Sequence, residues 1–247
     1  MTKLHRFHIQ PKNIHQNTFW TDNSKISEKI RKVLRLNKGD QILIFDGKGN
    51  EYIAELTLVA KNETKGTILE EKNRKLKEKP KIIIAQALTR SSRIDQVIRM
   101  NTEVGVYGFI LFESEYSVVK TKDLKENKIE RWKRVATDAA RQSERVYIPK
   151  IAKPISFKQI ITSTYKNKIL LHSRKQKNCE NIIETIKELD LSEEIVVIIG
   201  PEGGFSKDEI NTSEKNRVQI VYLDLPILRT ETAGVVVSSY ILLNNTK

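Results

Sequence analysis

Residues 194–205 read Glu-Ile-Val-Val-Ile-Ile-Gly-Pro-Glu-Gly-Gly-Phe, and the pattern of apolar residues and glycines in this segment indicates an α/β fold. The five apolar residues 195–199 are rich in β-branched side chains, which is typical of a strand buried on both faces. Three glycines among residues 200–204 let a ligand approach the main chain closely. Ser206 followed by Glu209 is a capping-box pattern that begins a helix. The order strand, glycine loop, helix indicates a ligand site in an α/β protein, although a simple connecting turn would have the same pattern.

A second segment near the C-terminus has a related pattern. Residues 218–224 predict a strand, and Thr230 is the predicted N-cap of a last helix. Arg229 precedes that cap, where it is either a functional cation or a surface arginine paired with a carboxylate. Residues 235–243 are apolar on more than one face of this helix, which indicates packing partners on several sides.

Strands and helices alternate through most of the chain. From residue 81 the predicted order is strand 81–88, helix 92–103, strand 106–112, helix 125–144, strand 169–171 and helix 182–189. This alternation predicts an α/β domain with a mostly parallel sheet covered on both faces. The charged residues 70–81 predict an exposed connection that precedes this domain.

The first 70 residues predict a small β-rich module. Residues 26–36 carry a helical apolar stripe made of Ile26, Ile30, Val33 and Leu34. Residues 41–45 predict a strand, and the sequence Asp-Gly-Lys-Gly-Asn at 46–50 predicts the loop of a hairpin.

Charge favours a nucleic-acid partner. The chain of 247 residues has 44 basic and 31 acidic side chains, a formal net charge of +13. The surplus is 7 over residues 1–80 and 6 over the much longer segment 81–247. Such an excess attracts polyanions, although a general abundance of lysine on exposed sites would also raise it.

Other classes are disfavoured by composition. No apolar run reaches the length of roughly eighteen residues that a membrane span needs, and the first residues lack the core of a signal peptide. The single cysteine, Cys179, excludes an internal disulfide and fits the cytoplasm. His5, His8 and His15 show no metal-ligand spacing, so no metal is expected.

Together the two C-terminal segments resemble one family. Residues 199–206 (Ile-Gly-Pro-Glu-Gly-Gly-Phe-Ser) and 227–233 (Ile-Leu-Arg-Thr-Glu-Thr-Ala) are similar to the bacterial methyltransferases that modify N3 of a uridine in 16S ribosomal RNA, within the SPOUT superfamily. Weaker matches lie at 32–35, 43–47, 85–88, 103–106 and 140–145. The chain departs from the family at 224–226 (Asp-Leu-Pro), where a glycine and a basic residue are usual.

The resemblance implies an architecture and partners. It implies a SPOUT-type C-terminal domain with a parallel sheet and a deep trefoil knot, preceded by a small PUA-like β-barrel that binds RNA. The implied ranges are 1–72 for the barrel, 73–80 for a linker and 81–247 for the methyltransferase domain. It also implies a homodimer and, as substrate, 16S rRNA or the small ribosomal subunit. The pattern alone argues against a knot, because threaded chains are rare.

By the same resemblance the cofactor is S-adenosylmethionine, held by three loops. The implied cofactor-binding residues are Leu171, His172, Ile199, Gly200, Pro201, Glu202, Gly203, Gly204, Leu223, Leu225 and Leu228. His172 is explained equally well as a half-buried histidine with satisfied hydrogen bonds.

Methylation of uracil N3 sets three chemical requirements. The base must be unpaired, its N3 proton must leave, and negative charge on the two carbonyl oxygens must be stabilised. Arg229 is the first candidate for that stabilisation and Arg145 the second, because guanidinium donors suit carbonyl oxygens and phosphates. Glu231 could act as a base or could interact with its own helix end, and Glu202 has the same two interpretations. Water could take the proton instead.

RNA contacts are predicted for Arg229 and for three cations on one helix of the barrel, namely Arg31, Lys32 and Arg35. Two rival functions remain. One is a non-catalytic RNA-binding ribosome assembly factor that kept the SPOUT fold. The other is a nucleotide-dependent enzyme, which is disfavoured because the glycine loop lacks the Walker lysine and the dinucleotide glycine spacing.

Overall fold

The computed structural model describes residues 4–72, 80–175 and 179–244. These residues fall into two compact units. The N-terminal unit comprises Met1–Lys77 with Ala140–Ile148, and the C-terminal unit comprises Glu78–Ala139 with Pro149–Lys247. Of the linker expected at 73–80, residues 73–79 lie outside the described chain, so the domain boundaries stay a prediction.

The N-terminal unit is built on a six-stranded sheet in the order β1-β4-β5-β6-β3-β2. The strands are β1 (Arg6–His8), β2 (Ile14–His15), β3 (Thr18–Thr21), β4 (Gln41–Phe45), β5 (Glu51–Val59) and β6 (Thr64–Lys72). Helix α1 (Ser24–Glu28) continues as a π-helical turn, Lys29–Val33, and a 3-10 turn spans Pro11–Asn13. Inward side chains such as Phe7, Ile30, Ile44 and Leu56 form its core.

Local contacts in this unit confirm one expectation and correct another. The hairpin loop at 46–50 is confirmed, because the Asp46 carboxylate accepts hydrogen bonds from the backbone N–H groups of Lys48 (2.7 Å) and Asn50 (3.1 Å). The helical stripe was wrong at Val33, which is 68% exposed, because the helix ends there. Arg35 follows the helix with a left-handed φ of 54°, so Arg31, Lys32 and Arg35 do not share one helix.

Residues 140–148 are tied to the N-terminal strands by Arg6. Its guanidinium contacts the Glu51 carboxylate at 2.8 Å and donates to the carbonyl oxygens of Ala140 (3.2 Å) and Arg145 (2.7 Å). The backbone N–H of Ile148 donates to the carbonyl of Gly47 at 3.0 Å. An arginine near the start of the chain, with a side chain only 9% exposed, therefore holds a segment that lies more than a hundred residues away in sequence.

The C-terminal unit contains an eight-stranded sheet in which every recorded pairing is parallel. Its strands are β7 (Ile82–Ala87), β8 (Gly108–Glu113), β9 (Lys150–Ile151), β10 (Ile155–Ser156), β11 (Asn167–His172), β12 (Glu180–Asn181), β13 (Ile195–Ile199) and β14 (Gln219–Tyr222). The main path is β10-β8-β7-β13-β11-β14-β12, and β9 also pairs with β8. The parallel α/β architecture predicted from the alternation is confirmed.

Helices cover this sheet and connect its strands. They are α2 (Ser91–Val104), α3 (Glu126–Gln142), α4 (Phe157–Ile161), α5 (Ile182–Glu188), α6 (Lys207–Lys215) and α7 (Thr230–Asn244), with a 3-10 turn at Thr121–Asp123. The capping box of α6 is confirmed: the Ser206 hydroxyl accepts from the backbone N–H of Glu209, and the Glu209 carboxylate accepts from that of Ser206. Within the described residues, no helix is long and apolar enough to cross a membrane.

Sheet order decides where the functional loops meet. Strand β11 lies between β13 and β14, with Leu171 in register with Ile199 on one side and Val221 on the other. All three strands are parallel, so their carboxyl ends and the loops that follow them lie at one edge of the sheet. That edge is where open α/β sheets bind ligands.

Candidate active site

A pocket of about 540 Å³ opens at the carboxyl ends of β11, β13 and β14. Three segments line it, namely 171–174, 199–205 and 223–230, and Arg93 and Ala233 complete the wall. Asp224 is the one residue of these segments that does not line the pocket. All eleven residues predicted to bind the cofactor line it: Leu171, His172, Ile199, Gly200, Pro201, Glu202, Gly203, Gly204, Leu223, Leu225 and Leu228. The volume falls within the range of roughly 300–1,000 Å³ that small-molecule sites occupy.

The glycine loop has a geometry that side chains would disturb. Gly204 has a φ of 73°, and a Cβ added there would meet no atom within 4 Å, so the missing side chain leaves open space. A Cβ on Gly203 would lie 3.1 Å from the Cβ of Tyr116. The backbone N–H of Gly204 donates to the Pro201 carbonyl at 2.9 Å, which closes the turn. The loop thus exposes main chain to the cavity at a position that favours glycine.

Glu202 is engaged in structural contacts. Its carboxylate accepts a hydrogen bond from the Thr89 hydroxyl at 2.5 Å and forms an ion pair with Arg93. Burial raises the pKa of Glu202, but the hydrogen bonds and the charges of Arg93 and Arg90 outweigh that effect, and the pKa lies below its ordinary value. The carboxylate is therefore ionised at neutral pH and anchors the glycine loop to α2.

Gln86 joins the glycine loop to the last helix, a role that the sequence analysis missed. Its buried amide donates to the Thr230 hydroxyl at 2.8 Å and lies 3.4 Å from the Gly200 carbonyl oxygen. The Thr230 hydroxyl in turn donates to that carbonyl at 3.1 Å. An amide within a strand of isoleucine and alanine was the available signal, because buried polar groups need partners.

Thr230 is not the N-cap of α7, and that prediction was wrong. The backbone carbonyl of Arg229 accepts from the N–H groups of Thr232 and Ala233, both at 3.0 Å. Arg229 therefore occupies the capping position, and the Thr230 hydroxyl is directed to Gln86 and Gly200 instead.

Positive charge predominates in the pocket wall. Arg93, Arg174 and Arg229 line it, against the single carboxylate of Glu202. Arg93 is neutralised by that carboxylate. The Arg229 side chain is exposed, and the described part of the chain offers it no hydrogen-bond or ion-pair partner. The wall can therefore present a guanidinium to an anionic or carbonyl group of a ligand.

His172 contributes to loop structure. Its Nδ1 atom lies 2.8 Å from the carbonyl oxygen and 3.3 Å from the backbone nitrogen of Arg174. The ring thus orders the turn after β11, in agreement with the second of the two interpretations of this residue.

The other predicted catalytic residues do not line the pocket. Glu231 is buried in the first turn of α7, with one carboxylate oxygen that has no hydrogen-bond partner among the described residues. Arg145 belongs to the N-terminal unit, where burial lowers the pKa of its guanidinium to about 10, so that it stays charged at neutral pH. The described residues hold no group of three or more His, Cys, Asp or Glu side chains that could bind a metal.

Comparisons with known proteins identify the family of this chain. Residues 77–242 match the RNA methyltransferase domain family, and residues 30–69 match the RNA methyltransferase PUA domain family. Ribosomal RNA small subunit methyltransferase E of Synechocystis sp. is 31% identical over 233 residues, which are 94% of this chain and 75% of the relative. The Bacillus subtilis protein of that name is 31% identical over 209 residues, 83% of this chain and 82% of the relative.

A solved structure extends the agreement to the whole chain. The crystal structure of ribosomal RNA small subunit methyltransferase E from Neisseria gonorrhoeae bound to S-adenosyl methionine superposes with a TM-score of 0.85, at 25% identity and 98% coverage of both chains. The chain belongs to the RNA methyltransferase family, and within it to the group of ribosomal RNA small subunit methyltransferase E. The predicted resemblance and its PUA-like and SPOUT-type architecture are confirmed. The trefoil knot stays a prediction.

Proposed function

We propose that this protein transfers the methyl group of S-adenosylmethionine to N3 of a uridine in 16S rRNA of the small ribosomal subunit. The observation that carries the proposal is the pocket at the carboxyl ends of β11, β13 and β14, lined by all eleven residues of the expected cofactor site. Family membership and the S-adenosyl methionine bound to the Neisseria gonorrhoeae relative support the same cofactor class.

The pocket wall fits this cofactor by size and chemistry. The apolar side chains of Leu171, Ile199 and Leu228 suit an adenine ring, and the open space beside the Gly204 backbone suits polar groups that need main-chain partners. When bound, the sulfonium of S-adenosylmethionine supplies an electrophilic methyl carbon.

Arg229 is the proposed catalytic cation. As the N3 proton leaves, negative charge spreads over the flanking carbonyl oxygens of the uracil, and the exposed Arg229 guanidinium can stabilise it. The backbone of Arg229 caps α7, so its position is fixed by the helix start. Arg229 would thereby stabilise the deprotonated uracil, while the cofactor held by the pocket loops would supply the methyl group.

Water is the proposed acceptor of the N3 proton. Glu202 is held by Thr89 and Arg93 with a lowered pKa, which makes it a weak base. His172 is engaged with the backbone of Arg174. Glu231 does not line the pocket, so we assign its carboxylate to the positive N-terminal end of α7.

The N-terminal unit is proposed to hold the RNA. Arg31, Lys32 and Arg35 are exposed, and the one ion-pair partner of Lys32 among the described residues is the equally exposed Glu28, so these side chains can exchange solvent for phosphate. The proposed domain ranges remain 1–72 and 81–247.

A homodimer in the cytoplasm completes the proposal. Helix α7 carries apolar side chains around its circumference, and Leu243 near its end is 74% exposed. A second copy of the chain could cover this surface. Light scattering should give twice the chain mass of 28.5 kDa, and a monomeric mass would contradict the dimer.

The test of function uses the native substrate. The protein is incubated with labelled S-adenosylmethionine and with small ribosomal subunits from a strain that lacks it. Each subunit should accept one methyl group, and mass analysis of rRNA fragments should locate this group at N3 of a uridine. A methyl group elsewhere would contradict the N3 assignment. Calorimetric titration with S-adenosylmethionine distinguishes this enzyme from the alternative function. Binding of the cofactor favours the enzyme, and absence of binding favours a non-catalytic assembly factor.

Arg229→Ala should lower kcat by roughly 10²- to 10³-fold, the usual effect of removing one donor that stabilises developing charge. Cofactor affinity should change little. Arg134→Ala is the control, since Arg134 is exposed on α3 and does not line the pocket. Near-normal turnover of Arg229→Ala would remove Arg229 from the mechanism.

A further inference from the structure

An exposed aromatic side chain stands beside the glycine loop. Tyr116 is 50% exposed and lies in the turn Ser114–Ser117 that follows β8. The residues at the two ends of this turn are buried, whereas Glu115 and Tyr116 at its tip are exposed. Tyr116 does not itself line the cofactor pocket, and neither cofactor binding nor charge stabilisation by Arg229 requires its ring.

The turn is held firmly in place. Within it, the N–H of Ser117 donates to the Ser114 carbonyl at 3.0 Å. The Ser114 hydroxyl (3.1 Å) and the Glu115 N–H (3.0 Å) both donate to the buried carboxylate of Glu209. Glu209 is also the capping-box residue of α6, the helix that begins just after the glycine loop. The Glu209 carboxylate therefore connects this turn to the start of α6, two residues after the glycine loop.

The position of Tyr116 relative to the pocket follows from Gly203. A Cβ on Gly203 would come within 3.1 Å of the Tyr116 Cβ, so the tyrosine lies directly beside the pocket-lining loop. Lys120 donates to the Glu115 carbonyl at 3.4 Å and pairs with the Glu113 carboxylate at 3.5 Å, so this lysine helps to hold the turn. An exposed aromatic ring beside the pocket-lining loop is a surface on which an unpaired base can stack.

We propose that the ring of Tyr116 stacks on the face of the target uracil and holds it at the rim of the cofactor pocket. The inference rests on the proposed function. A bound cofactor occupies the pocket, so the extruded base has to dock outside it, against groups at its edge. Stacking leaves both carbonyl oxygens and N3 of the uracil free for Arg229 and for the methyl carbon.

The test measures methyl transfer to small subunits from a strain that lacks this protein, together with cofactor binding by calorimetry. Tyr116→Ala should lower kcat/KM by roughly 5- to 100-fold, the usual loss when a stacking ring is removed, with unchanged cofactor affinity. Tyr116→Phe should keep nearly full activity because it keeps the ring. Val118→Ala is the matched control, a truncation two residues away at a side chain that is 70% exposed.

Each other outcome has a defined meaning. Equal kcat/KM for Tyr116→Ala and the unchanged protein would overturn the stacking role. A loss of cofactor affinity in Tyr116→Ala would overturn it too, since the ring would then support the glycine loop. A Tyr116→Phe variant as impaired as Tyr116→Ala would assign the effect to the hydroxyl and contradict stacking. If the unchanged protein transfers no methyl group, the proposed function itself fails.

Discussion

Two loops that line the same pocket are held very differently. The glycine loop, residues 200–204, is fixed by Glu202 contacts to Thr89 and Arg93 and by Gln86 and Thr230 at the Gly200 carbonyl. In the loop after β14, residues 224–227 are exposed and form no hydrogen bond within the described chain. Leu225 and Ile227 are 52% and 63% exposed.

The difference indicates that the two loops serve the site in different ways. A loop held by many hydrogen bonds and ion pairs keeps its shape whether or not a ligand is present, so its backbone groups are preorganised for binding. A loop with exposed apolar side chains and few hydrogen bonds opens at a small cost in free energy. Its side chains gain contacts only when a ligand covers them. We therefore expect substitutions in the first loop to reduce stability and substitutions in the second to reduce mainly affinity.

Gln86→Leu should have the largest effect on stability. It removes the buried donor shared by Thr230 and Gly200 and should lower the free energy of unfolding by about 2 kcal/mol, measured by urea denaturation. Thr230→Val should cost less. Because both residues belong to one hydrogen-bond network, the double variant should lose less free energy of unfolding than the two single variants lose in sum. Strict additivity would contradict the shared network.

Gly204→Ala should come next, with a loss of about 1 kcal/mol. Its φ of 73° disfavours a Cβ, although the space around it is open. Asparagine tolerates this backbone region better, so Gly204→Asn should be milder than Gly204→Ala. Thermal unfolding of the two variants compares them directly, and equal losses would show that backbone strain is not the cause.

Glu202→Gln should have a smaller effect that depends on pH. Because the folded pKa of Glu202 lies below its ordinary value of 4.5, its contribution is complete above that value and is lost as pH falls through the folded pKa. The side chain is 36% exposed, so solvent screening limits the loss to at most about 1 kcal/mol. The difference between Glu202→Gln and the unchanged protein should be constant from pH 6 to 8 and should shrink in acid; a constant difference down to pH 3 would contradict this.

Ile227→Ala should have the smallest effect on stability, within about 0.5 kcal/mol, because the side chain is exposed. Cofactor affinity should nevertheless fall roughly two- to tenfold, through loss of apolar contact in the bound state. Ile183→Ala, which truncates an exposed isoleucine outside the pocket lining, should change neither quantity. A stability loss above about 1 kcal/mol in Ile227→Ala would show that this loop supports the folded state as the glycine loop does, and would contradict the difference between them.

Sequence patterns predicted the elements around the site well where the signal is local. The buried strand at 195–199 and the capping box of Ser206 and Glu209 depend on neighbouring residues, and both are observed as predicted. Predictions failed where distant partners or the end of an element overrode the local pattern. Thr230 has the chemistry of an N-cap, but Gln86 and Gly200 compete for its hydroxyl. Val33 fitted a helical stripe, but the helix ends there.

Local sequence patterns are sufficient to predict a parallel α/β domain with a glycine loop after a buried strand, because apolar periodicity and glycine placement act within a few residues. The distant residues that fix that loop are known from the three-dimensional structure alone. Gln86, Thr89 and Arg93 reach it because β7 lies beside β13 in the sheet, an adjacency that no local pattern encodes. The same reason explains why Glu209 holds the turn of Tyr116: long-range hydrogen bonds depend on how the strands are ordered.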